Sequence, residues 1–251
     1  MTDTTTGFYE SFGSGILTAT NLSANSVPII FGALQDVTLD ISGTTKQLYG
    51  QNQFPIASAR GEIKISGKAK MGQISGPLYS SLFFGVASAT GTVSTAYSES
   101  HAVPASPFTV TVTNGATFAQ DLGVVYASSG IPLTPVAASP ATGQYSVNTV
   151  TGLYTFASGD TGVSVLISYT YSQAAIGSTI DVGNPLQGVQ PVFSVIVSRG
   201  YNNTGERYKL WSCIAAKLSL PTKMADWGIS ELDFDCFANA AGKTITLYTD
   251  V

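Results

Sequence analysis

Charge is scarce in this chain. Lys, Arg, Asp and Glu together make up 10% of its 251 residues, against roughly 25% in an ordinary soluble protein. The shortage is uneven, because no Lys or Arg occurs between Lys70 and Arg199. A formal net charge of −4 and a pI near 4.8 argue against a conventional nucleic-acid reader, which carries a basic patch. So few charges leave little to hold separate copies apart. Interfaces between proteins are themselves depleted in Lys, Glu and Asp. Much of the surface is therefore expected to end up buried against partners.

Histidine and cysteine are also rare. One His and two Cys cannot furnish the four ligands of a structural zinc site. A Ser/His/Asp triad would have to use His101. That residue sits near Glu99, Ser98, Ser100 and Ser106 in a Pro/Ser-rich connector, where no catalysis is expected. Gly242-Lys243-Thr244 resembles the end of a phosphate-binding loop, but the position where that pattern needs its first glycine is Phe237. Neither an enzymatic activity nor a cofactor is expected.

Long apolar runs are missing as well. Mean hydropathy is positive, at +0.22, yet no segment approaches the ~20 apolar residues of a membrane helix. No membrane insertion is expected. The start, Met1-Thr2-Asp3-Thr4, has no basic segment followed by an apolar one. The chain is thus expected to mature in a cytoplasm, with Cys213 and Cys236 as reduced thiols and a disulfide between them the less favoured alternative. The sequons at Asn21 and Asn202 are then chance matches.

What is present is period-two alternation. Val37, Leu39 and Ile41 alternate with Thr38, Asp40 and Ser42, the pattern of a half-buried strand. From residue 60 to 71, Arg60, Glu62, Lys64, Ser66, Lys68 and Lys70 share one face, and Gly61, Ile63, Ile65, Gly67, Ala69 and Met71 the other. Residues 43–59 between these strands read as a long connection, of the kind that is often functional. Ser75 as N-cap, Pro77 in the first turn, Leu78/Leu82 and Tyr79/Phe83 at i,i+4, and Gly85 as the stop predict a helix over about 75–84.

Residues 101–172 read as a separate module. Phe108, Val110 and Val112 alternate with threonines and lead into Asn114-Gly115, a tight-turn signal. Strands are expected at 123–127, 144–147, 153–156 and 163–171, the last with Val165, Ile167, Tyr169 and Tyr171 on one face. Short strands at this spacing suggest a small sandwich. Beyond it, Phe193, Val195 and Val197 form one strand face. Leu210, Ile214, Ala216, Leu218 and Leu220 share a parity, opposite Lys209, Trp211 and Lys217. In the last long strand Leu232, Phe234 and Cys236 point inward and Glu231, Asp233 and Asp235 outward.

Several runs carry a resemblance. The run from Phe31 through Gln35-Asp36-Val37 to Ile41 resembles the opening strand of bacteriophage tail tube (major tail) proteins. Lys46-Gln47-Leu48-Tyr49-Gly50 and the strand from Arg60 to Lys70 are similar to the family's long loop and second strand. Ala216 to Pro221, Ile229 to Phe237, and Gly242-Lys243-Thr244 match its end. The likeness covers about residues 25–85 and 185–251 and rests on strands and small motifs, with no single signature.

The resemblance implies a mainly β fold, a tail-tube-type barrel or sandwich with one flanking α-helix. That domain would be discontinuous, over residues 1–100 and 173–251, with an immunoglobulin-like β-sandwich inserted at 101–172. It implies subunits that close into rings, commonly hexameric, and stack into a tube for DNA ejection. The long loop then reaches the neighbouring ring. Implied partners are copies of itself, tape measure, terminator, baseplate or tail-tip proteins, and a sheath where the tail is contractile. DNA would pass through without specific binding. The expected location is the virion, after assembly in the host cytoplasm. Related readings are a baseplate or tail-tip ring, an adhesive virion sandwich, or an inner-tube protein of a contractile-injection or type VI secretion system.

Two sets of contact residues follow. Lys46, Tyr49, Phe54 and Pro55 lie in the long connection. The basic row Lys64, Lys68 and Lys70 is matched by the acidic row Glu231, Asp233 and Asp235, to pair across strands or across subunits. Calcium on the acidic row is the less favoured alternative, and either row could line the channel.

Overall fold

The computed structural model describes residues 13–23, 26–73, 75–201 and 204–249. The Asn202 sequon and the first residues of the chain lie outside the described residues. The strands are, in order, β1 (Ile16–Asn21), β2 (Ile29–Ile30), β3 (Leu34–Tyr49), β4 (Pro55–Met71), β5 (Ala89–Ala102), β6 (Thr109–Thr111), β7 (Phe118–Tyr126), β8 (Thr134–Pro135), β9 (Gln144–Asn148), β10 (Leu153–Phe156), β11 (Ser164–Thr179), β12 (Phe193–Tyr201), β13 (Thr204–Ser219), β14 (Ser230–Cys236) and β15 (Ile245–Thr249). The protein is mainly β. No helix among the described residues is long and apolar enough to cross a membrane.

The chain divides into two compact units, residues 1–88 with 180–251, and residues 89–179. The first holds one sheet in the order β2-β1-β12-β13-β14-β4-β3, with β15 added on β13. The sheet curls. The Ser14 hydroxyl donates to the Leu34 carbonyl at 2.7 Å, and Val197 and Tyr208 share a cleft with Val37 and Leu39. No ladder joins β2 to β3 among the described residues, so no barrel closes. Leu17, Ala69, Met71, Phe193, Val195, Leu210, Leu232 and Phe234 fill the core.

The inward faces expected for β12 and β14 are the buried ones. In β13 the parity changes twice. Trp211 and Ser212 together oppose Ser194, and Ala216 is an extra residue between the Ala215–Phe234 and Lys217–Asp233 pairs. Each bulge adds one residue and turns the following side chains to the other face. Leu210, Cys213, Ala215 and Leu218 therefore join the core, and Ile214 and Ala216 do not, contrary to the simple alternation. A third bulge sets Gly61 and Glu62 against Thr44, and the Thr44 hydroxyl accepts the Glu62 N–H at 3.1 Å. Arg60 consequently leaves the face of Lys64 that unbroken alternation would give it.

The expected helix is present in altered form. Leu78–Phe84 is a wider, π-type turn, and the Gly85 N–H reaches back to the Ser80 carbonyl. Gly76 and Pro77 are already helical, with Pro77 in the first turn as expected. Ser75 precedes them and accepts the Leu78 N–H on its carbonyl at 3.1 Å, and no side-chain cap bond is made at Pro77. Leu78 and Leu82 are buried in the core. Gly85 ends the turn with φ 66°, a left-handed conformation that glycine adopts without strain. The Asn21 amide donates to the Ser81 carbonyl at 2.6 Å, tying β1 to this segment.

The second unit is a two-sheet sandwich. Strands β6-β10-β9-β8 form one sheet and β5-β11-β7 the other, with Val110, Tyr145, Tyr154 and Phe156 packed on Val124, Val165, Ile167 and Tyr169. The unit is wider than residues 101–172, because β5 and β11 pair as far out as Ala89 and Thr179. Asn114-Gly115 makes no hairpin. It enters a single 3-10 turn over Gly115–Thr117, and the chain crosses from β6, in one sheet, to β7, in the other.

Gly67 marks the tightest packing in the first core. It is the register partner of Phe234, and a Cβ at Gly67 would lie 2.2 Å from the Phe234 ring. Gly67→Ala is expected to lower stability by about 1–3 kcal/mol, the usual range for overpacking. Urea denaturation checks this as a lower midpoint with an unchanged slope; an unchanged midpoint would contradict the close approach.

Candidate assembly surface

Residues 43–59 are not a loop. Pairing between β3 and β4 continues from Asp36–Lys70 through Gly43–Ile63 and Lys46–Ala59 to Tyr49–Pro55, leaving residues 50–54 as the tip. Side-chain burial stops much earlier. Val37 and Leu39 pack on the core, but beyond the Ile41–Ile65 pair the two strands form a ribbon with both faces exposed. Its apolar residues include Ile41, Leu48, Tyr49, Phe54 (81% exposed), Ile56 (66%) and Ile63. A two-stranded ribbon by itself is marginally stable in water, and an exposed apolar strand pair is a template for association.

The four residues singled out in this segment fall on the ribbon. Lys46 is exposed and opposite Ala59. Tyr49, exposed, donates from its hydroxyl to the Gln47 side-chain oxygen. Phe54 stands at the tip, and Pro55 opens β4. Sequence reasoning passed over Leu48 and Ile56, because a segment read as a connection has no faces. It set Ile41 and Ile63 on the apolar faces of their strands, where both are instead exposed because the core ends short of them. It also passed over Met224 and Trp227, which stand exposed between β13 and β14.

The charged rows meet within one chain. β14 pairs with β4, with Glu231 opposite Lys70, Asp233 opposite Lys68 and Asp235 opposite Ser66. Lys64 reaches Asp235 at 3.1 Å and Lys68 reaches Glu231 at 3.0 Å. Lys217, on the far side of β14, adds a contact to Glu231 at 3.5 Å, while Lys70 turns to Asp36 at 3.6 Å. Asp233 Oδ1 has no hydrogen-bond partner, and its contact is Lys68 Nζ at 3.7 Å. The hydrogen bond to Glu231 raises the Lys68 ammonium above its ordinary pKa, and the same bond lowers the Glu231 carboxyl. These pairs are solvent-facing, so they set strand register more than they add stability.

The second unit handles charge differently. It has no Lys or Arg and three carboxylates, Glu99, Asp121 and Asp160, and each accepts from tyrosine. Tyr145 and Tyr154 donate to Asp121 at 2.5 and 2.7 Å, and Tyr126 donates to Asp160 at 2.7 Å. Burial, then the bonds to Asp121, push the Tyr145 and Tyr154 phenols up, so they remain donors. Glu99 takes the Tyr169 hydroxyl at 2.6 Å and the Thr113 N–H and hydroxyl at 2.9 Å each, and His101 Nε2 lies 2.6 Å away. Burial by itself would raise the Glu99 carboxyl, but the bonds from Tyr169, Thr113 and His101 outweigh it and hold it at about 2.

No protein-family model matches the chain, and no curated protein matches it.

Two predictions follow from the charges. Glu99 sits below its ordinary value of 4.5, so its bonds stabilise the fold above that pH and are lost as pH falls from 4.5 toward 2. Thermal midpoints measured across this window are expected to drop for the wild type and to flatten in Glu99→Gln; parallel curves would contradict the assignment. Separately, Lys68→Glu sets a third carboxylate against Glu231 and Asp233 and is expected to lower the midpoint at low salt. Glu231→Lys in the same chain should recover part of the loss, and added salt should narrow the difference. A midpoint equal to wild type would sink the ladder.

Proposed function

We propose that this chain is a structural, non-enzymatic subunit that assembles with copies of itself into stacked rings, forming the tube of a phage tail. The observation that carries the proposal is the β3–β4 ribbon. It extends beyond its own core with apolar side chains exposed on it, and burial against another copy supplies what a free ribbon lacks. The resemblance of the opening strand and long connection to tail tube proteins points the same way, since in that family this segment reaches the next ring. Because the Lys and Asp/Glu rows satisfy each other within the chain, the ribbon, not the charged ladder, is the joining element.

On this reading the 89–179 unit is an immunoglobulin-like decoration, and its four-plus-three strands in two sheets fit that architecture. The tube is a passive conduit for DNA in the virion, and its other partners are tail-completion, tape measure and baseplate proteins.

Electron microscopy of the purified protein tests the proposal. Open-ended stacks of rings are expected. Single rings would instead favour a baseplate or tail-tip role, and dispersed monomers would contradict both. Tyr49→Ala with Phe54→Ala is expected to leave wild-type circular dichroism and thermal midpoint while abolishing long tubes. Tubes of normal length from that variant would rule out the ribbon as the joining element.

A further inference from the structure

The fold brings the chain's two cysteines together. Cys213 on β13 and Cys236 on β14 are register partners. The adjoining pair is a hydrogen-bonded one, because the Phe237 N–H donates to the Ser212 carbonyl at 3.0 Å. Hydrogen-bonded and non-hydrogen-bonded pairs alternate along an antiparallel ladder, so Cys213 and Cys236 form a non-hydrogen-bonded pair, with Cα atoms about 4.5 Å apart. That separation lies within the roughly 4.4–6.8 Å that a disulfide spans. Both side chains pack with the first unit's core, and the sulfurs are in contact at 3.1 Å. The bulge at Trp211 and Ser212 creates this meeting, since without the extra residue Cys213 would point to the charged face.

Both thiols are free, Cys213 fully buried and Cys236 half-buried. They differ in access, as the two members of an exchanging pair do. We propose that Cys213 and Cys236 are a site of reversible oxidation by small-molecule disulfides, closing to a cross-strand disulfide between β13 and β14. In the first step the Cys236 thiolate attacks one sulfur of the small disulfide. A mixed disulfide forms on Cys236, and one small thiolate leaves and takes up a proton. In the second step Cys213 loses its proton and its sulfur attacks Cys236 Sγ, expelling the second small thiolate, which is protonated in turn. Two protein thiols are oxidised, and one small disulfide is reduced to two thiols. The bond to Cys236 and burial push the Cys213 thiol up, which leaves Cys236 to make the first attack.

The closed bond ties together the two strands that bracket the exposed loop carrying Met224 and Trp227. Cross-linking them restricts the unfolded chain and so stabilises the fold. The inference is independent of the assembly proposal and holds or fails for a single chain.

The test incubates the full-length protein in a series of oxidised-to-reduced glutathione ratios, traps free thiols with an alkylating reagent, and reads intact mass and non-reduced peptides. The expected result is the loss of both alkylatable thiols with no glutathione retained, and a peptide linking residues 213 and 236. The thermal midpoint should rise by a few degrees and return when dithiothreitol is added. Cys213→Ser is expected to stop at a glutathione adduct on Cys236. Two alkylatable thiols persisting across the series, a stable glutathione adduct on the wild type, or cross-links between chains would each overturn the proposal.

Discussion

Backbone pairing between β3 and β4 outruns side-chain burial. From Leu34 to Leu39 the strand rests on a core supplied by β12, β13 and β14, and hydrogen bonding and the hydrophobic effect act together. From Ile41 outward the ladder continues with no core beneath it. Folding such a segment fixes backbone entropy without the apolar burial that normally offsets it. The exposed Leu48, Phe54 and Ile56 are where that missing burial can be made up, and that need connects the fold to the proposed assembly.

The two units solve the charge problem in opposite ways. In the first, cations and anions on β4, β14 and β13 lie opposite one another on the wet face of the sheet, where ion pairs are worth little but a slip of register would set like charges side by side. The second has no cation other than what His101 can provide. Its carboxylates are held by phenol hydroxyls and backbone N–H groups instead. For Glu99 these bonds outweigh the burial that would otherwise raise its carboxyl. The sandwich can therefore be nearly free of surface charge and still have its polar groups satisfied.

Much of this was legible in the residues. Alternation located the inward faces of β12, β14 and the inner half of β4, because one buried face imposes period two. The opposed charged rows were visible too, though whether they met within a chain depended on β4 and β14 being neighbours, which no local pattern encodes. The bulges at Trp211–Ser212, Ala216 and Gly61–Glu62 were not legible, since one extra residue shifts phase without changing composition. The outer ribbon looked like a connection because neither of its faces is buried. β5 was passed over because Thr90 to Ser100 alternate weakly and a bulge at Tyr97-Ser98, opposite Ser168, shifts their phase. The cysteine pair is the clearest case of a site that needs the fold: 23 residues separate its members, and a bulge points one of them at the other.

Amide hydrogen exchange along β3 and β4, compared between dispersed and assembled protein, tests the central claim most directly. The account predicts that amides of residues 43–59 exchange rapidly in dispersed chains, while those of Ile65 to Met71 are protected. On assembly the outer ribbon should gain protection approaching that of its base. Outer-ribbon amides that are already as protected in dispersed chains as the base, with no change on assembly, would contradict it.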